Sequence, residues 1–207
     1  MKITRCAALL TAALMLTGCG KSVAVISGSD GPAATEAPVI ITLYPDKAPI
    51  TCENFENLVS DGFYDGLTFH RVIDGFMAQG GDPDGTGAGG SKDTIKGEFT
   101  ANGVNNDLLH KRGTVSMART NDPDSASSQF FICYTDRPDL DGYYAAFGEV
   151  TEGMEVIDKF LTVKRIEGAD GDNSRPVKPI VIDTAKMTDP DPEGNPRVEL
   201  TMREIKP

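Results

Sequence analysis

From Val39 onward the chain repeats one texture. Short runs of β-branched, aromatic and other apolar residues alternate with spacers loaded with Gly, Asp, Asn and Pro. Val39–Tyr44, Leu67–Ile73, Gly75–Gln79, Thr114–Ala118, Gln129–Tyr134, Ala145–Val150, Val177–Ile182 and Val198–Met202 read as strands. Only two stretches carry helical spacing. In the first, Pro49 suits an opening turn, Cys52, Phe55 and Val59 share a face, and Gly62 marks the stop. In the second, Glu152–Leu161, the face is Met154, Ile157 and Leu161. Many short strands with Gly-rich connections and few helices predict a mainly β fold, a closed antiparallel barrel with the helices over its ends.

The first residues have a different character. Lys2 and Arg5 precede an apolar run, Cys6–Leu16, which is shorter than the roughly 20 residues a spanning helix needs. It ends in Leu16-Thr17-Gly18-Cys19, which resembles the lipobox of bacterial lipoproteins. The resemblance implies cleavage before Cys19, lipidation of its thiol, and an extracytoplasmic domain held on a bacterial membrane by that lipid alone. Residues 20–38, rich in Gly, Ser, Ala, Thr and Pro, read as a flexible tether. We therefore expect a signal peptide over 1–18, lipidated Cys19 and tether over 19–38, one domain over 39–188, and an extension with an extra strand over 189–207.

The formal charge is −11, and loss of Lys2 and Arg5 would make it more negative still. Such a surface argues against nucleic acid and against polybasic contact with a membrane. With Cys6 removed and Cys19 lipidated, Cys52 and Cys133 remain, each in an apolar stretch and read as unpaired core residues. His70 and His110 are the sole histidines, so a His-rich metal site is ruled out. Asp82-Pro83-Asp84-Gly85 and Asp189–Gly194 have the look of calcium loops, but turn chemistry accounts for both.

The chemistry concentrates in Phe69-His70-Arg71-Val72-Ile73-Asp74-Gly75-Phe76-Met77-Ala78-Gln79-Gly80-Gly81-Asp82, and in Ser116-Met117-Ala118-Arg119 with Ser128-Gln129-Phe130-Phe131-Ile132. In the first segment a charged arginine alternates with large apolar residues, which taken alone fits either a surface arginine beside ordinary core residues or a groove with a single strong donor. Together with Leu140-Asp141-Gly142, Phe147-Gly148 and the phrase Asp46-Lys47-Ala48-Pro49 before Glu53-Asn54-Phe55, these stretches resemble the signatures of cyclophilins, in order over roughly residues 39–184.

The resemblance implies an eight-stranded cyclophilin-like barrel and peptidyl-prolyl cis–trans isomerase activity, which needs no cofactor. It implies Arg71 as the catalytic donor and Gln79 as the residue that orients it. Phe76, Met77, Phe131 and Leu140 would line the proline pocket, with Tyr144 at the groove wall. The backbone of Ala118 and Arg119 would hold the peptide. Asp139 stands where many family members have tryptophan, and the chain has no tryptophan at all, so cyclosporin is expected to bind weakly. The family usually opens with a strand before the one at Val39, and here Val198–Met202 is expected to fill that place, beside Val39–Tyr44. His70 is expected to hydrogen-bond beside Arg71. The expected partners are proline-containing segments of secreted or cell-envelope proteins, and the domain is expected to act as a monomer. A module that grips proline segments with little turnover is the alternative, and a Ser-His-Asp hydrolase built on one of the histidines is a distant third.

Cys19→Ser should block processing of the precursor and release the protein from membranes in its host, because the thiol is the lipid acceptor. Fractionation that finds the variant cleaved after Gly18 and still membrane-bound would contradict the lipobox.

Overall fold

The computed structural model describes residues 35–207; residues 1–34, with the expected signal segment, Cys19 and most of the tether, lie outside them. In chain order the elements are β1 (Val39–Leu43), α1 (Pro49–Ser60), β2 (Thr68–Ile73), β3 (Met77–Asp82), β4 (Thr114–Met117), β5 (Phe130–Cys133), β6 (Ala146–Glu152), α2 (Met154–Lys159), β7 (Arg165–Ile166), β8 (Arg175–Pro176), β9 (Ile182–Thr188) and β10 (Arg197–Met202). Eight strands form one antiparallel sheet in the order β2-β3-β5-β4-β6-β1-β10-β9, and β7 and β8 make a separate two-stranded ribbon.

The mainly β character and the two helices match expectation, but the closed barrel does not: the sheet is an open, strongly curled half-barrel. Its terminal strands, β2 and β9, do not pair as a ladder: one isolated bridge joins Thr68 of β2 to Val181, the residue before β9. The chain along the outer edge of β2 gives it scattered bonds, Val72 N–H to Ser174 O, Phe69 N–H to Ile180 O, and Ile182 N–H to Leu67 O. Pro176 and Pro179 lie in that stretch and have no N–H to donate, so a continuous ladder cannot form. The same prolines displace the strand expected at Val177–Ile182. Regular pairing begins at Ile182, where β9 turns into a hairpin with β10.

The last strand is integral to the sheet. β10 lies between β1 and β9, with Val39 opposite Leu200 and Ile41 opposite Val198, and Val198, Leu200 and Met202 are all fully buried. Asp191 and Asn195 close the loop between β9 and β10. The domain also begins earlier than residue 39. Thr35 bridges Arg203, Glu36 N–H donates to Met202 O, and the Glu36 carboxylate accepts the Ile205 N–H and pairs with Lys159. These contacts make Thr35–Pro38 part of the folded unit instead of tether.

The interior is one cluster built from alternate strand positions and from α1. Phe55 of α1 packs against Tyr64, Phe130 and Phe147, with ring centroids 5.0 to 5.4 Å apart. No side chain of α1 caps its own start. Instead Glu98, almost wholly buried, accepts N–H bonds from Ile50 and Thr51 and a hydroxyl bond from Thr51. Cys52 and Cys133 are free and buried, and burial pushes both thiols up to about 12.

Both histidines sit low in their titration. Burial is the main cause for each; Asp82 opposes it at His70, where Arg71 adds to it, and Asp141 opposes it at His110. His70 does not hydrogen-bond as expected: neither of its buried ring nitrogens has a partner among the described residues.

Truncation after Lys186 removes three buried apolar side chains worth ~1.5–3 kcal/mol each and should destabilise the domain by several kcal/mol. If the truncated chain fails to fold, Leu200→Ala should still show a loss of ~2–5 kcal/mol in urea. Unchanged melting in both would make β10 dispensable. Acid should also weaken the fold. Each histidine binds its proton less readily when folded than when unfolded, so stability is lost as pH falls through the ordinary value of 6.5. The urea midpoint should therefore drop between about pH 7.5 and about pH 5.5; a rise would contradict this.

Candidate active site

The site is built on the outer face of the sheet. Along β2, β3 and β5, the residues Val72, Ala78 and Ile132 point into the main core, and their neighbours point the other way. Register sets Arg71 opposite Gln79, Gln79 opposite Phe131, and Phe131 opposite Ser116 on β4, so one row crosses four strands. The next position over sets Ile73 against Met77 and Met77 against Cys133. Met77, Phe131, Cys133 and Leu140 form a second apolar cluster, separate from the core, with Ile73, Phe76, Ala118 and Tyr144 packed on it. Gly81 makes the local geometry possible: its φ is +84°, and a Cβ there would stand 2.4 Å from Ser128 O.

A cavity of about 150 Å3 opens on that cluster, and it is lined by Arg71, Phe76, Met77, Gln79, Ala118, Arg119, Phe131, Leu140 and Tyr144. These nine are the residues singled out from the sequence. Two larger depressions flank it, about 580 Å3 on the Asp170 side of Arg71 and about 490 Å3 on the side of Gly87–Ser91 and Ser125–Gln129. Volume does not decide between them. The small cavity alone is floored by the apolar cluster, and it alone combines that floor with a guanidinium.

Arg71 is held on two sides. Its Nε–H donates to Asp170 Oδ2 at 2.5 Å and its Nη1 to Gln79 Oε1 at 3.3 Å, while Met77 Sδ lies 4.0 Å from Nη1. Nη2 has no partner among the described residues. Gln79 is oriented in turn by donating from Nε2 to Gln129 Oε1 at 2.8 Å, and Gln129 donates to the carbonyls of Gly87 and Gly89. Both ends of the Gln79 amide are thus occupied.

The wall opposite is also braced. The guanidinium of Arg119 lies 4.6 Å from the Tyr144 ring and 5.0 Å from the Phe99 ring, and it donates to Tyr143 O and Thr120 O. Arg119 therefore contributes a side chain as well as backbone. Ala118 N–H is taken by Gln129 O, which leaves Ala118 C=O and Arg119 N–H as the backbone groups at this edge without a partner among the described residues.

Beneath Phe131 lies a buried chain. His110 stacks on the Phe131 ring at 6.0 Å, its Nδ1 meets Asp141 Oδ1 at 3.0 Å, and its Nε2 meets Ser116 Oγ at 3.0 Å. With His110 neutral, the network assigns the proton to Nδ1, which donates to Asp141, while Nε2 accepts from Ser116. The residue types are those of a hydrolytic triad, but Ser116 is fully buried and no substrate carbonyl can reach its hydroxyl. The chain acts as a support for Phe131.

Sequence reading quoted Gln129 within a motif but gave it no role, and it missed Asp170, Phe99 and Arg137, which come to the site from distant loops. Arg137 lies 4.0 Å over the Phe76 ring and pairs with Asp139 at 2.7 Å. An arginine-capped aromatic thus stands at the rim near the position where tryptophan was noted as absent. Asp82 accepts N–H bonds from Asp84, Thr86, Gly87 and Gly89, which confirms it as a turn residue.

Comparison with known proteins agrees with this geometry. The model of the cyclophilin type peptidyl-prolyl cis-trans isomerase family matches residues 33–187. The chain is 51% identical over 113 residues to peptidyl-prolyl cis-trans isomerase B of Bacillus subtilis, covering 55% of this chain and 76% of the relative. It is 43% identical over 156 residues to peptidyl-prolyl cis-trans isomerase A of Dickeya dadantii, covering 71% and 77%. A crystal structure of a Cryptosporidium parvum cyclophilin type peptidyl-prolyl cis-trans isomerase in the presence of the dipeptide Ala-Pro superposes with a TM-score of 0.62 at 30% identity, covering 72% of this chain and 96% of that one. With the family model spanning most of the chain and relatives at this level of identity, the protein belongs to the cyclophilin-type peptidyl-prolyl cis–trans isomerases.

Proposed function

We propose that Arg71 is the catalytic donor of this isomerase, and that the enzyme rotates X–Pro bonds in exported chains as they fold at an extracytoplasmic membrane surface. The observation that carries the catalytic half is Arg71 in the wall of a cavity floored by apolar side chains, with Nε and Nη1 engaged and Nη2 without a partner among the described residues.

The X–Pro bond resists rotation through amide resonance, with a barrier of ~18–20 kcal/mol. No bond is made or broken, so no nucleophile is required. The enzyme must only bind the twisted amide better than either planar form. As the C–N bond twists, conjugation is lost, the prolyl nitrogen becomes pyramidal, and its lone pair becomes a hydrogen-bond acceptor. The Nη2 hydrogens of Arg71 supply the donor. The planar ground state offers no such acceptor, so the bond strengthens only in the transition state, which is the condition for raising kcat.

The remaining residues position the substrate. Phe76, Met77, Phe131, Leu140 and Tyr144 surround the pyrrolidine ring and hold it while the acyl side turns. Ala118 C=O and Arg119 N–H offer one acceptor and one donor to an extended peptide backbone. Gln79 fixes Arg71 Nη1. The apolar floor and the bound proline ring together shield the donor, and one preorganised donor in a shielded site is worth ~3–4 kcal/mol.

The location rests on the sequence: a short apolar leader ending in Leu16-Thr17-Gly18-Cys19 and a Gly- and Ser-rich segment before the domain. They support a lipid-held enzyme whose clients are proline-containing segments of secreted or envelope proteins.

Arg71→Ala should lower kcat/KM for a proline peptide by roughly two to three decades, with melting temperature unchanged. Wild-type activity in a folded variant would remove Arg71 from the mechanism, and peptide binding by the native protein without measurable turnover would leave the groove as a binding surface only.

A further inference from the structure

The role of Arg71 leaves one strong contact unexplained. A cationic donor that must reach a neutral prolyl nitrogen is here paired with a carboxylate. Asp170 belongs to the Gly- and Asp-rich loop between β7 and β8, about a hundred residues from Arg71 in sequence, and its side chain is largely shielded from solvent. Its two oxygens do different work. Oδ1 accepts from Ser174 Oγ at 2.8 Å and from Asp172 N–H at 3.1 Å, both inside the loop. Oδ2 accepts the Nε–H of Arg71.

The loop is itself well tied down. Gly168 N–H donates to Asp172 O, and the carbonyl of Ser174, a residue almost wholly buried, accepts the N–H of Val72, the residue beside Arg71 on β2. Burial of the Asp170 carboxyl works against ionisation, but the bonds from Arg71, Ser174 and Asp172 outweigh it and hold the group below the usual carboxylate range. The carboxylate is therefore a fixed anion on a fixed loop.

We propose that Asp170 is a positioning residue for catalysis: by holding Nε from the loop side while Gln79 holds Nη1 from the sheet side, it locks the plane of the guanidinium so that Nη2 alone is presented to the twisted prolyl nitrogen. The inference rests on the catalytic role given to Arg71 above. Its physical basis is the fork geometry of arginine, whose planar group is fully oriented once two of its three nitrogens are fixed. With only Gln79 in place, at 3.3 Å, the side chain can pivot about that single long contact. Rotational freedom of the donor then has to be lost during the reaction instead of before it.

Asp170→Asn separates this role from maintenance of the loop. The asparagine carbonyl can still accept from Ser174 and Asp172, but its amide nitrogen would face the Arg71 Nε–H, donor against donor. We expect kcat for a proline peptide to fall about tenfold with KM and melting temperature unchanged, as for an interaction realised in the transition state. The Arg71 Nε–H resonance should exchange slowly in the native protein and rapidly in the variant. Glu167→Gln is the control, since Glu167 lines the same depression without bonding Arg71; it should leave kinetics unchanged. In the Arg71→Ala background, Asp170→Asn should cost nothing further. The inference is overturned if Asp170→Asn turns over at the native rate or faster, if Glu167→Gln causes the same loss, or if the two losses multiply. A silent Arg71→Ala, by contrast, overturns the catalytic assignment itself.

Discussion

Register across β2, β3, β5 and β4 is the constraint from which the rest follows. Strand side chains alternate, so each of these strands must feed two apolar assemblies at once, the main core inside the curl and the smaller cluster outside it. Slipping one strand by one residue would send Val72, Ala78 or Ile132 outward and bring Arg71, Gln79 or Cys133 inward. Slippage therefore carries a double penalty. Here it makes the row Arg71, Gln79, Phe131, Ser116 a consequence of folding, not a separate achievement of the site.

That economy suits the reaction. Rotating an amide asks for one donor and a surface that grips a ring, with no covalent chemistry to arrange. What the fold supplies is restraint on side chains that would otherwise be mobile. Arginine and glutamine lose more rotamer freedom on ordering than most residues. Both are fixed here by partners that are themselves fixed: Gln79 by Gln129 and the carbonyls of Gly87 and Gly89, Arg71 by Gln79 and by Asp170. The aromatic floor is treated alike, with Phe131 resting on a buried histidine whose two nitrogens are both satisfied.

The strands of this chain were legible because β-branched and aromatic runs stand out against Gly- and Asp-rich spacers, and the nine cavity residues, on three strands and three connecting segments, were legible through resemblance to family motifs. Two kinds of feature were not. Closure of the sheet depends on whether its first and last strands pair, and no local pattern encodes that. The prolines at 176 and 179 were a usable warning, since a proline within an apolar run argues against an interior strand. The outer partners of the site were hidden for another reason. Asp170 sits among Gly168, Gly171 and Asp172, where an aspartate reads as turn chemistry, and Gln129, though inside a signature stretch, opens an expected strand with nothing in its spacing to assign it a partner. Their significance comes from contacts over sequence separations of 99 and 50, which periodicity cannot report.

The attachment of Thr35 and Glu36 to the end of β10 has a mechanical meaning. The described chain enters the domain there and runs directly into β1, which is hydrogen-bonded on one side to β10 and on the other to β6. Tension drawn along the backbone through Thr35 is therefore applied parallel to a central strand. The ladder bonds lie across that direction, so they are sheared together and share the load. An edge strand pulled sideways would peel one bond at a time. Load applied at this end thus meets the sheet on which Arg71 is mounted along its strands, not across an edge.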